Sequence, residues 1–407
     1  MSIYIGIDWS QSKHDVAFVN ESGRVVAAMT IPHTPKGLRQ FDDVRQQFAV
    51  AASECPVALE TAHNLIIDFL WTRAYNQVYV VPPTVVKSCR GRYRQSGART
   101  DQHDAYLLAN LLRTDRERLH LWRPDSVLTC QMRAKVSLYR YVTRTCTQQA
   151  NRLRAVLLRY YPAALDVFSG LNVQITLEFI RTYPTPQAAT DLTWAEFQAF
   201  ATDHRYPRPK QLPTCFANLQ NAYPEAVPET IQVYQEEAVL LATLLLQSLQ
   251  TKQATKRALK GLFRQHPDQA IFASLPGVGD YLAPALLVKF GEDRQRFPTS
   301  GSAQALAGTC PVTESSGKRK VIKFRRGCDR EFRDVAQQWA RCSVSESAWA
   351  AAYLEQLRMR GASENHAHRC LANRWLAIAW KLWQTHQCYD ASYHLQQCAL
   401  RRQPLDL

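Results

Sequence analysis

Four acidic residues stand where apolar segments of this chain end or a helix begins, and their placement limits the folds that the chain can adopt. Asp8 follows the apolar run 3–7, which predicts a buried strand, and Glu60 follows a second such run. An acid at a strand's end is not needed by a core and usually faces a crevice. Asp101 and Asp104 lie three residues apart at the predicted start of a helix, so they share one helix face.

The four carboxylates together predict a metal site. Converging negative charges repel one another unless cations lie among them, and Mg²⁺ or Mn²⁺ prefers oxygen ligands. Two such ions can hold the attacking and leaving oxygens of a phosphodiester. Any one of these acids alone would more often be a helix cap or a surface charge, and only the joint placement carries the prediction. The predicted metal ligands and catalytic residues are Asp8, Glu60, Asp101 and Asp104.

The charge of the chain predicts a polyanionic partner. Its 407 residues carry a net charge of +15, which points most simply to nucleic acid. A basic segment before the acidic pair contains glycines, serines and Tyr93, and this mixture is typical of a mobile loop that holds a phosphate backbone. The alternative is a solvated basic loop. The nucleic-acid-binding residues predicted there are Lys87, Arg90, Arg92, Arg94 and Arg99.

Cysteine usage and hydropathy favour a cytoplasmic protein. The eleven cysteines include no CxxC pair and cannot all form intrachain disulfides, so we expect reduced thiols. We do not expect a zinc site at His366, His368 and Cys370, because this run fits better as part of one helix of the C-terminal region. No apolar stretch reaches the roughly 18 residues of a membrane span. We therefore expect no membrane partner and a location in the cytoplasm.

The first part of the chain, residues 1–125, predicts an α/β domain with a mixed central sheet. Three consecutive strands with a hairpin turn at Asn20–Gly23 are followed by crossover strands that alternate with helices. A three-stranded meander with an acid on its first strand is the ribonuclease-H-like arrangement. The acids would then lie at one edge of this sheet.

The rest of the chain predicts helices. Residues 126–267 contain two long helical segments that enclose a proline-rich insert at 162–225, which indicates an antiparallel coiled-coil arm or, equally well, a plain helical bundle. Residues 268–407 predict a separate α-rich domain. Its Leu275–Gly279 turn resembles a helix-hairpin-helix element in which Gly277 and Gly279 let the backbone approach DNA phosphates, although an ordinary tight turn fits as well.

A short loop in this last domain places hydroxyl groups beside cations. The run Thr313–Lys320 contains Ser315 and Ser316 and ends in three basic residues. A serine that attacks a phosphodiester needs an exposed hydroxyl and positive charge around the phosphate. Composition alone favours a phosphate-binding loop or a linker over a nucleophile. The basic residues predicted to bind nucleic acid there are Lys318, Arg319 and Lys320.

These segments, in this order, resemble the DEDD-type insertion-sequence transposases, which are bridge-RNA-guided serine recombinases. The matching motifs are Tyr4–Asp8, Ala58–Ala62, Arg99–Ala105, Leu275–Gly279 and the Ala307–Gly308 pair that leads to Glu314–Gly317. The resemblance covers most of the chain. It implies a RuvC-like N-terminal domain, a coiled-coil connector and a C-terminal transposase domain with a catalytic serine.

The resemblance also implies roles for particular residues. The four acids fall on the family's metal-binding acids, and Ser315 best matches the serine that becomes linked to DNA, with Ser316 as the alternative. The resemblance further implies donor and target DNA, a structured guide RNA encoded by the element, dimers that pair into tetramers, and a location at the bacterial nucleoid. One subunit's acids and another's serine would then form a composite site.

Three rival functions fit parts of the sequence. A metal-dependent Holliday-junction-type endonuclease would need the four acids and an activated water, but no serine. An actin-like ATPase needs a glycine just after the strand-end acid, and Trp9 stands there instead. An RNA-binding scaffold explains the charge but not the acids. The sequence therefore favours a DNA transposase or recombinase, with the endonuclease as the alternative.

Overall fold

The structure is a computed structural model that describes residues 2–60, 65–93, 100–221, 223–224, 226–317 and 319–400, without the side chains of 91–93 and 398–400. The chain divides into two compact units, residues 1–124 and 125–407. The predicted separation of a connector from a C-terminal domain within the second unit stays a prediction.

A five-stranded mixed sheet forms the centre of the first unit. In the order β3-β2-β1-β4-β5, the first three strands are antiparallel, whereas β4 and β5 run parallel to β1. The predicted mixed α/β layout is confirmed. The strands are β1 (Ile3–Trp9), β2 (Lys13–Asn20), β3 (Val25–Pro32), β4 (Val57–Leu59) and β5 (Val78–Val80).

Four helices accompany this sheet. They are α1 (Pro35–Gln46), α2 (Leu65–Thr72), α3 (Pro83–Tyr93) and α4 (Asp101–Asp115). Helix α4 packs on β1, and its residues from Ala105 to Leu112 include a nearly continuous buried stretch. Its N-terminus is capped by Thr100, whose hydroxyl accepts a hydrogen bond of 3.3 Å from the amide of His103. The cap fixes where the helix begins and so where its two first-turn acids lie.

The second unit begins with two long antiparallel helices that enclose a smaller helical insert. The ion pair between Arg152 and Glu237 and the contact of Lys252 with the ring of Tyr139 show the opposite directions of the long helices. The insert and its neighbours bury an aromatic core that includes Phe179. The helices are α5 (Val127–Tyr160), α6 (Gln174–Thr182), α7 (Pro186–Thr190), α8 (Trp194–Asp203), α9 (Leu212–Leu219) and α10 (Pro228–Phe263).

The remainder of this unit is helical around a second core that contains Trp339, Trp375 and Trp383, with one two-stranded hairpin. Its elements are α11 (Gln269–Ala273), α12 (Gly279–Phe290), α13 (Ser300–Leu306), β6 (Val312–Ser316), β7 (Arg319–Lys323), α14 (Arg330–Ser343), α15 (Ala348–Met359), α16 (Glu364–Thr385) and α17 (Ala391–Leu400). Among the described residues, no helix combines the length and apolar character needed to cross a bilayer.

Candidate functional site

Gly6 allows α4 to lie directly against β1, and this contact positions the acids. A Cβ atom at Gly6 would lie 2.0 Å from the carbonyl oxygen of Ala105 and 2.5 Å from the amide nitrogen of Ala109. Asp101 and Asp104 stand within about one helical turn of Ala105, and Asp8 follows Gly6 by two residues. The acids of the first turn of α4 are therefore brought towards the end of β1.

Glu60 reaches the same edge of the sheet from the neighbouring strand. Strands β1 and β4 are parallel, with Ile7 paired with Leu59, so the next residues lie side by side, Asp8 still on β1 and Glu60 directly after β4. Both side chains are half-buried. The structure thus brings together all four acids that the sequence predicted as metal ligands.

The electrostatics of Asp8 show how closely the carboxylates are grouped. Burial raises the pKa of Asp8 from 3.8 to about 7, and the negative charges of Glu60, Asp104, Asp101 and Asp15, in decreasing order, add to the shift. A carboxyl group in this position is partly protonated near neutral pH. A cation among the acids would favour its charged form.

Two basic side chains counter part of this negative charge. Arg90 donates from Nε and Nη2 to the two carboxylate oxygens of Asp104, at 2.8 and 2.6 Å, in a bidentate pair that is largely shielded from solvent. Lys13 lies 3.9 Å from the exposed Asp101. Within the part of the chain that the structure describes, no three His, Cys, Asp or Glu side chains form a ready-made metal-ligand group. The carboxylates are near enough for their charges to act on Asp8, but Asp104 is already paired with Arg90.

Asp15 is a fifth carboxylate at this edge that the sequence analysis missed. It pairs directly with Asp8 across the antiparallel β1–β2 ladder, is buried, and accepts a hydrogen bond of 2.5 Å from the hydroxyl of Thr30. The signal was available, because extending β2 backwards from its apolar run at Val16 towards the end of β1 places this acid opposite Asp8. The apolar run marks only part of the strand, which begins three residues earlier, at Lys13.

The basic segment before the acidic pair is partly helical, which corrects the prediction of a mobile loop. Lys87 and Arg90 lie on α3, which begins with Pro83 in its first turn, where proline's missing amide proton carries no cost. Lys87 is exposed, whereas Arg90 binds Asp104. Of the other basic residues predicted to bind nucleic acid there, the side chain of Arg92 and all of Arg94 and Arg99 fall outside the described residues.

The two candidate serines lie on a β-hairpin, which corrects the prediction of a loop. Ser315 pairs with Lys320 and Ser316 with Arg319, and Gly317 follows with a positive φ of 55°, as a tight hairpin turn requires. Ladder hydrogen bonds order this polar segment although its sequence has little strand propensity. Lys318 falls outside the described residues.

The register places the two serines on opposite faces of the hairpin, because successive strand residues alternate. Ser316 shares its face with Glu314, which forms a 2.5 Å ion pair with Lys323. Ser315 shares the other face with Lys320. Both serines are exposed, and an open cleft of about 240 Å³ is lined by Glu314, Ser315, Ser316, Arg319, Val321 and Lys323.

The two glycines of the Leu275–Gly279 turn have different surroundings. The amide of Gly277 donates to Glu346 at 2.7 Å, and a Cβ there would lie 2.5 Å from the backbone of Cys342 and Ser343. Packing within the unit accounts for this glycine. Gly279 is exposed at the start of α12 and has open space beside it. Binding of nucleic acid by either glycine stays a prediction.

Two family models match the chain over regions that contain these sites. A model of the DEDD transposases of the IS110 group, described as "Transposase", matches residues 5–162, and the model "Transposase IS116/IS110/IS902 family" matches residues 269–355. The chain belongs to the IS110-type insertion-sequence transposases. The first match of this transposase contains the four acids, and the second contains both serines. Family membership makes the chain a DNA-processing enzyme with DNA as its partner.

Curated relatives of this transposase match over nearly their whole length. A predicted mini-circle transposase for IS117 from Streptomyces coelicolor is 29% identical over 98% of this chain and 96% of its own. The uncharacterized 43.6 kDa protein of insertion element IS110 from the same organism is 23% identical over 96% of both chains. The uncharacterized 42 kDa protein of IS900 from Mycobacterium paratuberculosis is also 23% identical, over 95% of this chain and 97% of its own.

Proposed function

We propose that this transposase excises and inserts its element through a covalent serine–DNA intermediate, with Ser315 as the nucleophile. The observation that carries the proposal is that one chain contains both the acid cluster around Asp8 and an exposed serine with a cross-strand cation. The order of the strands in the sheet that contains Asp8 supports a RuvC-like, ribonuclease-H-type domain for the part of the chain that holds the acid cluster.

In the proposed reaction, the hydroxyl oxygen of Ser315 attacks the scissile phosphorus and loses its proton. The bond from phosphorus to the leaving deoxyribose oxygen breaks, and that oxygen takes up a proton. Rejoining is the reverse exchange, in which a deoxyribose hydroxyl of another strand end attacks the serine phosphodiester and releases Ser315. Lys320, which pairs with Ser315 in the ladder, would offset the phosphate's negative charge.

We prefer Ser315 to Ser316 as the nucleophile because the two serines share their hairpin faces with different charged residues. The hairpin face of Ser316 also holds Glu314, whose charge repels a phosphate unless Lys323 stays paired with it. On the other face the residues paired nearest to Ser315 are Thr313, Ile322 and Lys320, none of which is acidic. Ser316 also has a cross-strand cation, Arg319, so the difference between the faces is that a phosphodiester approaching Ser315 meets no carboxylate on its face.

The four acids would hold Mg²⁺ or Mn²⁺ against the scissile phosphate. Carboxylate oxygens are the ligands these cations prefer, and the neighbouring carboxylates add to the effect of burial in raising the pKa of Asp8, which a bound cation would oppose. Bound Mg²⁺ would supply charge stabilisation at the phosphate. For Asp104 to take part, the guanidinium of Arg90 must move away from it.

We also propose that a structured RNA encoded by the element selects donor and target DNA by base pairing. The resemblance of the motifs to the guided family supports this proposal, and the net charge of +15 fits a protein that binds more than one nucleic acid. Dimers that pair into tetramers, with a composite site of acids and serine from different subunits, are part of the same proposal.

The test compares Ser315→Ala with Ser316→Ala on DNA from the ends of the element, with Mg²⁺ and copurified RNA present. Ser315→Ala should abolish protein–DNA adducts on a denaturing gel, whereas Ser316→Ala should keep them, and both should bind RNA normally. Adducts that persist in Ser315→Ala and vanish in Ser316→Ala would assign the nucleophile to Ser316.

The alternative function is a metal-dependent Holliday-junction-type endonuclease that uses activated water. The grouping of all four acids within residues 1–124 favours it, because such an enzyme needs nothing from the hairpin. In the same assay it predicts cut DNA without any adduct, and equal cutting by both serine variants. That result would contradict the serine mechanism and favour activated water as the nucleophile.

A further inference from the structure

We propose that Phe324, together with Arg333 and Arg369, forms a binding site for an unstacked nucleobase and its phosphate in the DNA strand beside the serine hairpin. Phe324 directly follows β7 and is 48% exposed. The proposal deepens the proposed function, because it concerns how the DNA is held next to the serines.

Two arginines from separate helices lie over the ring of Phe324. The guanidinium carbon of Arg333, on α14, is 4.5 Å from the ring centroid, and that of Arg369, on α16, is 4.9 Å away. An aromatic ring that orients guanidinium groups in this way stabilises them by cation–π attraction. Guanidinium groups held beside an exposed ring in this way can donate hydrogen bonds to phosphate oxygens.

These guanidinium groups retain their charge for a ligand. Arg333 is anchored by the carbonyl oxygen of Arg325 and by Sγ of Cys328, while its buried Nε has no partner among the described residues. Neither Arg333 nor Arg369 forms an ion pair with any residue that the structure describes. Positive charge without an acidic partner, beside a half-exposed aromatic ring, is the combination that single-stranded nucleic acid binds.

A cleft beside Phe324 has room for a nucleotide. It measures about 490 Å³ and is lined by Val312, Glu314, Lys323, Phe324 and Arg326. Arg333 and Arg369 do not line it and adjoin it through the ring of Phe324. Ligand sites of this kind span roughly 300–1,000 Å³. Glu314 and Lys323 also line the cleft that contains both serines, so the two clefts adjoin. A strand whose phosphate lies at a serine would continue into the cleft beside Phe324, and this continuity favours DNA over RNA as its occupant.

The experiment measures binding of a fluorescein-labelled oligothymidylate to the full chain. Phe324→Ala should weaken binding about tenfold, the expected loss of one base-stacking contact, whereas Phe324→Trp should retain it. Arg369→Ala should weaken binding and lower its dependence on salt. Arg374→Ala is the matched control, because Arg374 lies on the same helix over the ring of Tyr353 at 5.6 Å, outside the cleft, and should change nothing.

Wild-type affinity in Phe324→Ala would overturn the proposal, as would an equal loss in Phe324→Trp or in Arg374→Ala. Oligouridylate that competes as well as oligothymidylate would overturn the assignment to DNA. If Phe324→Ala fails to fold, photocrosslinking of an iododeoxyuridine oligonucleotide to the wild-type chain decides the question. Crosslinks at Phe324 support the site, and crosslinks elsewhere refute it.

The same binding measurement in a Ser315→Ala background separates this inference from the proposed function. Binding needs no strand cleavage, so a stacking contribution from Phe324 should persist there. Loss of the serine mechanism with retained Phe324-dependent binding would sink the proposed function alone.

Discussion

The acid cluster and the serine hairpin are built in opposite ways. Asp8 lies on the buried strand β1 and Glu60 directly follows β4, and Asp104 is buried on α4, the helix that touches Gly6 without any intervening side chain. The hairpin strands, in contrast, pair with each other alone in their sheet, and the residues at their tip are exposed. Tight packing fixes the position of a side chain, whereas an isolated two-stranded hairpin is marginal in water.

This contrast indicates that the two sites differ in how far they are ordered before DNA binds. The free chain already holds the acids at one edge of the sheet, where burial and, to a smaller extent, the neighbouring carboxylates raise the pKa of Asp8. The serines are carried on a segment that can adapt its position to DNA. We infer that the acid site is preorganised and that the nucleophile becomes ordered on binding.

The largest effect is expected for glycine substitutions that probe this difference in rigidity. Gly6→Ala should destabilise the first unit by about 3 kcal/mol, because the new Cβ would overlap the backbone of α4. Gly317→Ala, at a positive φ but in open space, should cost about 1 kcal/mol. Urea unfolding, with hydrogen exchange followed in peptides of each unit, measures both. Equal losses of stability in the two variants would contradict the proposed difference in rigidity between the acid cluster and the serine hairpin.

A smaller effect is expected for the arginine that occupies the acid site. Arg90→Ala should tighten Mn²⁺ binding about tenfold, because the metal would no longer compete with a bidentate ion pair for Asp104. Lys13→Ala is the matched control and should change the affinity little, since its contact with Asp101 is long and exposed. Isothermal titration gives both affinities. Weaker Mn²⁺ binding in Arg90→Ala would make Arg90 part of the site and not its competitor.

The smallest effect is a pH dependence that arises from Asp8. Its pKa rises from 3.8 to about 7 on folding, so the folded chain holds the extra proton in this window. The contribution of Asp8 to the free energy of unfolding therefore falls as pH rises from about 4 to about 7 and stays low above it. Bound Mg²⁺ should offset this loss of stability, because the cation favours the ionised form of Asp8.

Scanning fluorimetry checks this expectation. Mg²⁺ should raise the melting temperature by a few degrees more at about pH 8 than at about pH 5. Asp8→Asn should make the shift nearly independent of pH. A Mg²⁺ shift that is largest at low pH would show that the cluster does not bind the cation through ionised carboxylates.

The sequence predicted those features that depend on local periodicity. The strand meander, the mixed sheet and the long helices follow from apolar patterns, and the placement of the acids at element ends brought all four to one edge. Features that depend on contacts between distant segments were missed. The pair of Arg90 with Asp104 is one, and the packing of Gly277 against Cys342 is another.

The serine hairpin was missed for a different reason. The segment Thr313–Ser316 is polar and small, so no alternation of apolar residues marks a strand. Its pairing depends on the ladder with β7 and on the cross-strand attraction between Glu314 and Lys323, which the spacing alone does not reveal.

The most direct test of the division between acids and serine is to identify the residue that carries DNA. Wild-type transposase should be reacted with DNA from its element's ends in Mg²⁺, digested, and analysed by peptide mass spectrometry. The account predicts a nucleotide phosphodiester on Ser315, absent when Asp8→Asn replaces the wild type. Cut DNA with no modified serine would contradict it and leave the acids to activate water on their own.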